Sequence, residues 1–418
     1  MPEENDQLSV ALKQVLNHQP SHSDHKLFAE DTTVQLALLI KEMGLYPYFI
    51  PISGQIGPRI IIDGKDTINL GSNNYMGLAN HPEMIKAGCD AMRKYGTGCT
   101  GSRFLNGTLD IHNELEIKLA KFFQKEAALC FTTGMQTNLG VISGITRQGD
   151  HIISDEKNHA SIIDGCRLAH ADTRIYRHNN MDDLEKVLAG LPPQGNRWII
   201  SDSIFSMEGN VAQIPRIVEL AERHKAHVII DDAHGIGHFG KHGEGICGHL
   251  GLMDKIDILV GTFSKSFASI GGFCAAGRDI IQHLQHHARS LMFSASMPPA
   301  MAATANKALD IFYQDDEGRK RVLQNASFLR KGIESLGFRT VPQQIPTPII
   351  PIIIGDVMKL AYFSKGLLEN GVYTNPVIPP ASSEAMIRMS VMATHRQKDL
   401  EDALIVLKKE GRKQGLIK

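Results

Sequence analysis

The feature that most constrains the fold is an alternation of short apolar runs and helical segments between about residues 75 and 275. The apolar runs are continuous, which is typical of strands that helices cover on both faces of a sheet. Segments with helical periodicity separate them, for example 112–124 and 214–224. This alternation predicts an α/β domain with a mainly parallel sheet. The predicted strands are 127–131, 151–153, 198–200, 227–230 and 256–260.

The two ends of the chain have a different character. Residues 1–30 are polar and lack a clear period, which indicates a poorly ordered arm. Residues 33–43 fit an amphipathic helix, and 59–70 fit a hairpin that turns at Asp63-Gly64. After about residue 300 the pattern is that of a smaller α+β domain. There we expect a long helical region over 302–336, followed by the elements 348–354, 357–370, 388–391 and 397–410.

These patterns divide the chain into three parts. An N-terminal arm, helix and hairpin take up residues 1–74, a large α/β domain 75–300, and a small α+β domain 301–418. Two or three domains are what a chain of 418 residues is expected to form, at about 100–200 residues each.

Composition and charge argue against several classes of protein. A net charge of −1 without a basic stripe disfavours an electrostatic nucleic-acid binder, so no nucleic acid is expected as a partner. The six cysteines form no C-x-x-C pair, which favours reduced thiols in a cytosolic protein. The N-terminal MPEENDQLSV does not resemble a signal peptide, and no apolar run is long enough for a membrane span. We expect a cytoplasmic protein, and weak peripheral contact with the inner face of a membrane is left open.

Chemically useful side chains follow four of the predicted strands. Lys265 comes after the last strand, Asp231 and His234 after the one before it, and His159 after the run at 151–153. Small hydroxyl groups follow the strand at 198–200. Ligands of open α/β sheets bind beyond the carboxyl ends of the strands, so we expect these groups to meet at one edge.

Together these residues fit the chemistry of an aldehyde cofactor with a pyridine ring. A lysine amine forms an imine with the aldehyde, a carboxylate keeps the pyridine nitrogen protonated, and a histidine stacks on the ring. Taken singly, each feature has an ordinary interpretation. A lysine after a strand is usually a solvated surface residue, and a D-x-x-H pair is more often a local hydrogen bond or a metal pair.

A phosphate cradle is predicted after the strand at 127–131. The chain continues Thr132-Thr133-Gly134 and then takes up a helical pattern. Gly134 allows close approach of a ligand to the backbone, and a helix N-terminus favours an anion. An ordinary strand, turn and helix with a glycine remains the alternative.

The sequence resembles the α-oxoamine synthases, which use pyridoxal 5′-phosphate (PLP) and have the aspartate aminotransferase fold, fold type I. The resemblance covers about residues 61–394. It depends on stretches that occur in the family's order: NLGSNNYMGLANHP (69–82), GTGCTGSRFLNGT (96–108), HNELEIKLAKFF (112–123), EAALCFTTGMQTN (126–138), KNHASIIDG (157–165), IFSMEGNVA (204–212), IIDDAHGIGHFGKHGEG (229–245) and GTFSKSFASIGGF (261–273).

Within that family the sequence is most similar to the bacterial serine palmitoyltransferase branch. GTFSKS stands where relatives that use glycine or alanine more often carry GTLGKA or TFGK. ARSLMFSASMPPA (288–300), NPVIPPA (375–381) and IRMSVMATH (387–395) are also similar. Two departures lie beside the expected catalytic residues: DDAHG replaces the more usual DEAHS, and Cys99 lies within GTGCTGS. They bear on substrate detail, not on the use of PLP.

The resemblance implies a role for each matching residue. Lys265 binds PLP covalently and moves the proton at the substrate Cα, Asp231 pairs with the pyridine nitrogen, His234 pairs with the ring oxygen, and His159 stacks on the ring. Phosphate contacts are implied for Gly134, Met135, Thr262 and Ser264 of one subunit and for Ser294 and Ala295 of the second. Arg388 is implied to bind the substrate carboxylate, with Asn74 near it across the dimer interface.

The implied reaction is the decarboxylative condensation of L-serine with a long-chain acyl-CoA, carried out by a homodimer with shared active sites. Three alternatives remain open. Glycine or alanine could be the amino donor, as in 2-amino-3-ketobutyrate CoA ligase or 8-amino-7-oxononanoate synthase. The acyl group could come from another carrier, such as an acyl carrier protein. The chain could also be a non-catalytic partner with the same fold.

No metal is expected. His283, His286 and His287 are interpreted as an exposed helix face, because no further ligand accompanies them. The basic residues at 408–413 are interpreted as a solvated helix end.

Overall fold

The structure is a computed structural model that describes residues 32–418. The arm predicted for 1–30 therefore lies outside the described residues.

A seven-stranded sheet forms the centre of the larger part of the molecule. Its strand order is β3-β9-β8-β7-β6-β4-β5, and every strand is parallel to the others except β9, which runs antiparallel to β3 and β8. The predicted mainly parallel sheet is confirmed. The strands are β3 (Ala127–Phe131), β4 (His151–Asp155), β5 (Asp172–Tyr176), β6 (Arg197–Asp202), β7 (His227–Asp231), β8 (Ile258–Thr262) and β9 (Gly272–Ala276).

Helices cover both faces of this sheet, which is why the strands read as continuous apolar runs. Along β6, for example, Trp198 and Ile200 belong to the apolar core on one face and Ile199 to the core on the other. The helices before and within this part are α1 (Thr32–Glu42), α2 (Pro82–Tyr95), α3 (Asp110–Phe122), α4 (Gly134–Ile145), α5 (Ala160–Leu168), α6 (Met181–Ala189), α7 (Ile214–His224), α8 (Ile246–His249), α9 (Arg278–His287) and α10 (Arg289–Met292).

Two smaller sheets of three strands each belong to the ends of the chain. The predicted hairpin is formed by β1 (Arg59–Ile62) and β2 (Lys65–Asn69), and it is extended by β11 (Val372–Tyr373). Both turn residues have positive φ, 49° at Asp63 and 75° at Gly64, as a two-residue hairpin turn requires. The other sheet is antiparallel and has the order β10 (Ile349–Ile353), β13 (Met386–Ser390), β12 (Asn375–Val377).

The C-terminal helices are α11 (Pro299–Gln314), α12 (Asp316–Ser335), α13 (Val357–Glu369) and α14 (Gln397–Lys413). The helical region predicted over 302–336 consists of two helices, because the chain breaks at Asp315. Its side chain accepts a hydrogen bond from the Gly318 amide at 2.8 Å and so caps the start of α12. The three-part division of the chain stays a prediction. Over the described range, no helix combines the length and apolar character that crossing a membrane would need.

One buried carboxylate ties the first hairpin to the last helix. Asp399 in α14 is 1% exposed and pairs with Arg59 of β1 at 3.0 Å and with Arg396 at 2.9 Å. Although burial opposes ionisation, the hydrogen bonds from Arg396 and Arg59 outweigh it and lower the pKa of Asp399 to about 2.

We therefore expect Asp399→Asn to lower the free energy of unfolding by about 2 kcal/mol at neutral pH. A pKa that is lower in the folded chain stabilises the fold above the unfolded value of 3.8, and this contribution is lost as the pH falls through about 2. The difference from wild type should thus shrink in urea titrations at decreasing pH. Asp402→Asn, which removes an exposed partner of Lys398 in the same helix, should change stability by less than about 0.5 kcal/mol. A difference for Asp399→Asn that does not depend on pH would contradict this assignment.

Candidate active site

The carboxyl ends of the parallel strands border a cavity of about 280 Å³. Strand register brings its walls together, since Asp202 and Asp231 are direct neighbours in β6 and β7. The lining contains the four residues predicted to carry the chemistry, Lys265, Asp231, His234 and His159. The remaining lining residues are Thr133, Gly134, Met135, Asn138, Ser161, Asp202, Ser206, Ala233, Thr262, Ser264, Ile270 and Gly271.

Asp231 lies at the end of β7 and is 7% exposed. Its Oδ2 accepts a hydrogen bond from Asn138 Nδ2 at 2.7 Å, and its Oδ1 accepts one from the Ala233 amide at 3.0 Å. Two hydrogen-bond donors therefore fix the orientation of the carboxylate inside the cavity. This is the arrangement needed to hold the proton of a pyridinium nitrogen.

Lys265 follows β8 and lines the cavity. Burial, opposed by Asp231 and Asp202 and aided by Arg388, lowers the pKa of the amine to about 8. A larger neutral fraction of this lysine than of an ordinary one is thus present near neutral pH. A neutral amine is the form that attacks an aldehyde.

His159 is the residue before α5 and stands exposed at the cavity wall. Its amide donates to Asp202 Oδ2 at 2.7 Å, and its Nδ1 lies 2.7 Å from Ser161 Oγ. Although the residue is exposed toward the cavity, desolvation by the surrounding protein lowers the pKa of the His159 ring; Asp231 opposes this shift and Lys265 adds to it. Burial and the nearby Asp231 raise the pKa of the Asp202 carboxyl well above its ordinary value.

His234 lies three residues after Asp231 and is 5% exposed. Its Nδ1 is 2.8 Å from the hydroxyl of Tyr75, which leaves the rest of the ring facing the cavity. Burial, together with Lys265 and Arg388, lowers the pKa of His234 well below its ordinary value. The ring is therefore neutral and can exchange hydrogen bonds with a ligand oxygen.

The predicted phosphate cradle has the geometry of an anion site. α4 begins at Gly134, and its first turn faces Thr262 and Ser264, whose hydroxyls are 2.9 Å apart. A Cβ at Gly134 would lie 2.8 Å from Thr262 Oγ1, so only glycine leaves this space open. Met135 also lines the cavity. Free helix amides and two hydroxyls are donors suited to a phosphate.

Ser294 and Ala295 lie outside the cavity lining of their own chain. Ser294 Oγ accepts a hydrogen bond from Gln136 Nε2 at 2.9 Å, and the carbonyl of Ala295 accepts one from Thr132 Oγ1 at 2.5 Å. Both residues thus adjoin the first turn of α4. Their contact with a second subunit's phosphate stays a prediction.

Arg388 in β13 is 5% exposed and lies behind the cavity wall. Its guanidinium donates to the Ser206 carbonyl at 2.5 Å, to Ser390 Oγ at 3.0 Å and to Asn73 Oδ1 at 3.0 Å. It also approaches the Tyr75 hydroxyl at 3.4 Å. All these acceptors are neutral, and among residues 32–418 no carboxylate pairs with Arg388. A buried cation of this kind is a receptor for an anion.

Asn74 does not touch Arg388 in this chain; its neighbour Asn73 does. The Asn74 side chain is 6% exposed, and both its polar atoms lack a hydrogen-bond partner within the described part of the chain. Its place near the carboxylate of a partner subunit stays a prediction.

Five residues of the site were not singled out from the sequence. They are Asn73, Tyr75, Asn138, Ser161 and Asp202. Asn138 lies one turn into α4, the helix after β3, and Ser161 is the second residue of α5, the helix after β4. Both side chains line the cavity. Asp202 could have been predicted from the sequence, because it is the last residue of β6 and side chains at strand ends line the cavity.

The cavity fits the cofactor predicted from the sequence. An amine, a fixed carboxylate and a neutral histidine face one space, and the glycine cradle opens at its end. These groups match the aldehyde, the pyridine nitrogen, the ring oxygen and the phosphate of PLP. No cluster of three or more metal-ligating side chains occurs in the described range, and His283 Nε2 donates a hydrogen bond to the Gly144 carbonyl at 3.0 Å.

Comparisons with known proteins agree with this geometry. Residues 65–407 match the family model "Aminotransferase class I and II". The chain is 46% identical to the serine palmitoyltransferase of Sphingobacterium spiritivorum, over 87% of this chain and 92% of that protein. It is 42% identical to the 8-amino-7-oxononanoate synthase of Thermoanaerobacter pseudethanolicus, over 90% of this chain and 96% of that protein.

A solved structure of the serine palmitoyltransferase from S. paucimobilis, a lysine-to-alanine variant with a bound PLP–myriocin aldimine, superposes with a TM-score of 0.92. It is 34% identical and covers 94% of this chain and 100% of that one. The predicted fold type I, with a large sheet and a smaller C-terminal domain, is thereby confirmed. The chain belongs to the aminotransferase class I and II family.

Proposed function

We propose that this protein is a PLP-dependent acyltransferase that condenses L-serine with a long-chain acyl-CoA, releasing CO₂ and CoA. The observation that carries the amino-acid half of the proposal is Arg388, a buried guanidinium next to the cavity whose partners are all neutral oxygens. An α-carboxylate is the anion that an amino-acid substrate brings. Serine and the acyl-CoA are taken from the similarity to serine palmitoyltransferases.

PLP, when bound, supplies an electron sink for the bonds at the substrate Cα. The residues of this chain hold it and direct the reaction. Asp231 keeps the pyridine nitrogen protonated, His234 contacts the ring oxygen, and Gly134, Met135, Thr262 and Ser264 hold the phosphate. Lys265 would attach the cofactor, and its free amine would be the group in the cavity that takes and returns the proton at the substrate Cα.

His159 and Arg388 have the task of orientation. Arg388 would bind the substrate carboxylate and His159 would cover one face of the bound ring, so that the two residues together fix the orientation of the amino acid in the cavity. Over the reaction a bond forms between Cα and the acyl carbon, the thioester bond breaks with release of CoA, and the carboxylate leaves as CO₂. Asn73 is placed to assist Arg388, since its Oδ1 fixes one guanidinium nitrogen at 3.0 Å.

We further propose that the active protein is a homodimer with shared sites, located in the cytoplasm. Three large apolar side chains near α4 and the loop before α3 are exposed in the single chain: Phe104 is 47% exposed, Leu105 78% and Phe293 73%. Exposed apolar groups of this kind favour a surface that a second subunit covers. Ser294 and Ala295 directly follow Phe293, so a second subunit that covers this surface would bring them to its own phosphate site. Weak membrane contact stays a prediction.

A second candidate reaction is that of an 8-amino-7-oxononanoate synthase, because such relatives are similar over nearly the whole chain. The two reactions share the carboxylate site and differ in the amino acid and the acyl donor. Spectral titration of the purified protein with serine, glycine and alanine, followed by CoA release with a series of acyl-CoAs, separates them. A spectral change with alanine or glycine but not with serine would contradict the serine proposal and leave PLP dependence intact.

Arg388→Lys, tested in the same titration, is expected to weaken serine binding about 30- to 150-fold, which corresponds to about 2–3 kcal/mol. Lysine keeps the charge but lacks the planar fork that binds a carboxylate through two hydrogen bonds. Cofactor content should stay at the wild-type level, because Arg388 does not line the phosphate cradle. The exposed Arg339→Lys, which pairs only with Glu384, is the control. Wild-type serine affinity in Arg388→Lys would place the carboxylate site elsewhere.

A further inference from the structure

A hydrogen-bonded chain of four side chains connects the carboxylate of the site to its stacking histidine. It runs from Asp231 Oδ2 to Asn138 Nδ2 (2.7 Å), from there to Ser161 Oγ (2.9 Å), and on to His159 Nδ1 (2.7 Å). The two linking residues are each 2% exposed, so solvent does not compete for these bonds.

The direction of the chain is fixed at the Asp231 end. An ionised carboxylate only accepts hydrogen bonds, so the atom of Asn138 that faces it must be the amide nitrogen. The same Nδ2 carries a second hydrogen, and this one points at Ser161 Oγ. Ser161 Oγ therefore accepts, and its own proton is left for His159.

The direction is fixed independently at the histidine end. The backbone amide of Ser161 is 3.2 Å from His159 Nδ1, and an amide N–H can only donate. Nδ1 is consequently an acceptor and carries no proton. The neutral ring then has its proton on Nε2, and this nitrogen makes no hydrogen bond with any residue between 32 and 418.

We infer that Asn138 and Ser161 are positioning residues that hold His159 as the Nε2–H tautomer and couple its orientation to Asp231. The inference rests on the proposed function for its meaning: an Nε2–H that faces the cavity donates to a substrate carboxylate, whereas the other tautomer would present a lone pair and repel it. The side-chain amide of Asn138 thus orients Asp231 directly and His159 through Ser161.

The acidic and basic groups that face His159 lie at the ends of three strands. They are Asp231 at the end of β7, Asp202 at the end of β6 and Lys265 after β8. Asp202 contacts only the His159 backbone amide, so it places the residue without selecting a tautomer. The selection is made by Ser161.

The test is the tautomeric state of His159 in the PLP-loaded protein, measured by NMR on ¹⁵N-histidine-labelled samples and assigned with His159→Asn. Wild type should show one tautomer with the proton on Nε2. Ser161→Ala removes the hydroxyl donor at 2.7 Å and leaves Nδ1 with only the longer contact to the backbone amide at 3.2 Å, so a second population with the proton on Nδ1 should appear beside the first. Ser161→Thr, which keeps the hydroxyl, should restore the wild-type signals.

The kinetic consequence is a rise in KM for serine of about 2- to 12-fold in Ser161→Ala, the range expected for the net loss of one hydrogen bond. The value of kcat should change less, and PLP content should not change. Ser143→Ala is the matched control, because its hydroxyl bonds only to the Leu139 carbonyl within α4. This control should leave both the tautomer and KM unaltered.

An Nδ1 proton in the wild-type protein, or identical signals in wild type and Ser161→Ala, would overturn the inference. Because the NMR signals do not depend on which amino acid is turned over, they separate this result from a failure of the proposed reaction. If serine is not the substrate but Ser161→Ala still mixes the tautomers, the positioning role stands and the substrate proposal falls.

Discussion

Lys265→Ala is expected to lose the visible absorbance of the lysine-bound cofactor and to lower turnover by about 10²- to 10⁴-fold or more. Lys265 is the lysine that lines the cavity, and its pKa of about 8 makes its amine available for both attachment and proton transfer. Within the described chain, no second lysine faces the same space. The variant should still bind PLP without a covalent bond, since Asp231 and the glycine cradle are unchanged.

Borohydride reduction followed by peptide mass spectrometry checks the attachment directly. Wild type should yield the cofactor on the peptide that contains Lys265, and the variant should yield none. Lys255→Ala serves as the control, because Lys255 is an exposed lysine before β8, the strand that Lys265 follows, and it pairs with Glu222 outside the cavity. Near-wild-type turnover of serine and acyl-CoA by Lys265→Ala would refute the assignment of this residue.

The sequence allowed the central sheet to be predicted because β3, β4, β6, β7 and β8 are apolar on both faces. Two strands were missed for physical reasons. β5 reads DTRIY and lies at the sheet edge, where three of its five residues are exposed. β9 reads GFCAA and contains small residues with little preference for strands, but it is held between β3 and β8. Tertiary pairing made both of them strands.

The reactive residues of the site could be predicted because each directly follows a strand. Lys265, Asp231, His234 and His159 all line one cavity, as the strand-end argument required. The supporting residues could not be found in this way. Asn138 and Ser161 act through hydrogen bonds that only the packing of α4 against α5 creates, and Asn73 reaches Arg388 across 315 residues of sequence.

Asn73 illustrates the same limit. Adjacent asparagines in NLGSNNYMG cannot be told apart by spacing, and within one chain it is Asn73 whose Oδ1 meets the guanidinium of Arg388. The place of Asn74 across the dimer interface stays a prediction.

Asp231→Asn is expected to lower turnover by roughly 10- to 1,000-fold while PLP stays bound. A carboxylate within hydrogen-bond distance raises the pKa of a cationic partner by about 1–3 units, and an amide does not. With the pyridine nitrogen unprotonated, the cofactor becomes a weaker electron sink and Cα deprotonation slows. Attachment of the cofactor depends on Lys265 and on the cradle, so its absorbance should shift and not disappear.

The neighbouring Asp232 provides the matched control for this experiment. It is fully buried on the other side of the strand end, where Ser203 Oγ donates to it at 2.5 Å and the Cys247 amide at 3.3 Å. Burial raises the pKa of Asp232 to about 7, so it is partly neutral at neutral pH and an amide resembles its protonated form. Asp232→Asn should therefore lower thermal stability modestly and leave the pH profile of turnover in place. If Asp232→Asn instead slows Cα deprotonation and Asp231→Asn does not, the partner of the pyridine nitrogen is Asp232. The Asp231 carboxylate, which accepts the hydrogen bond from Asn138, would then have a structural role only.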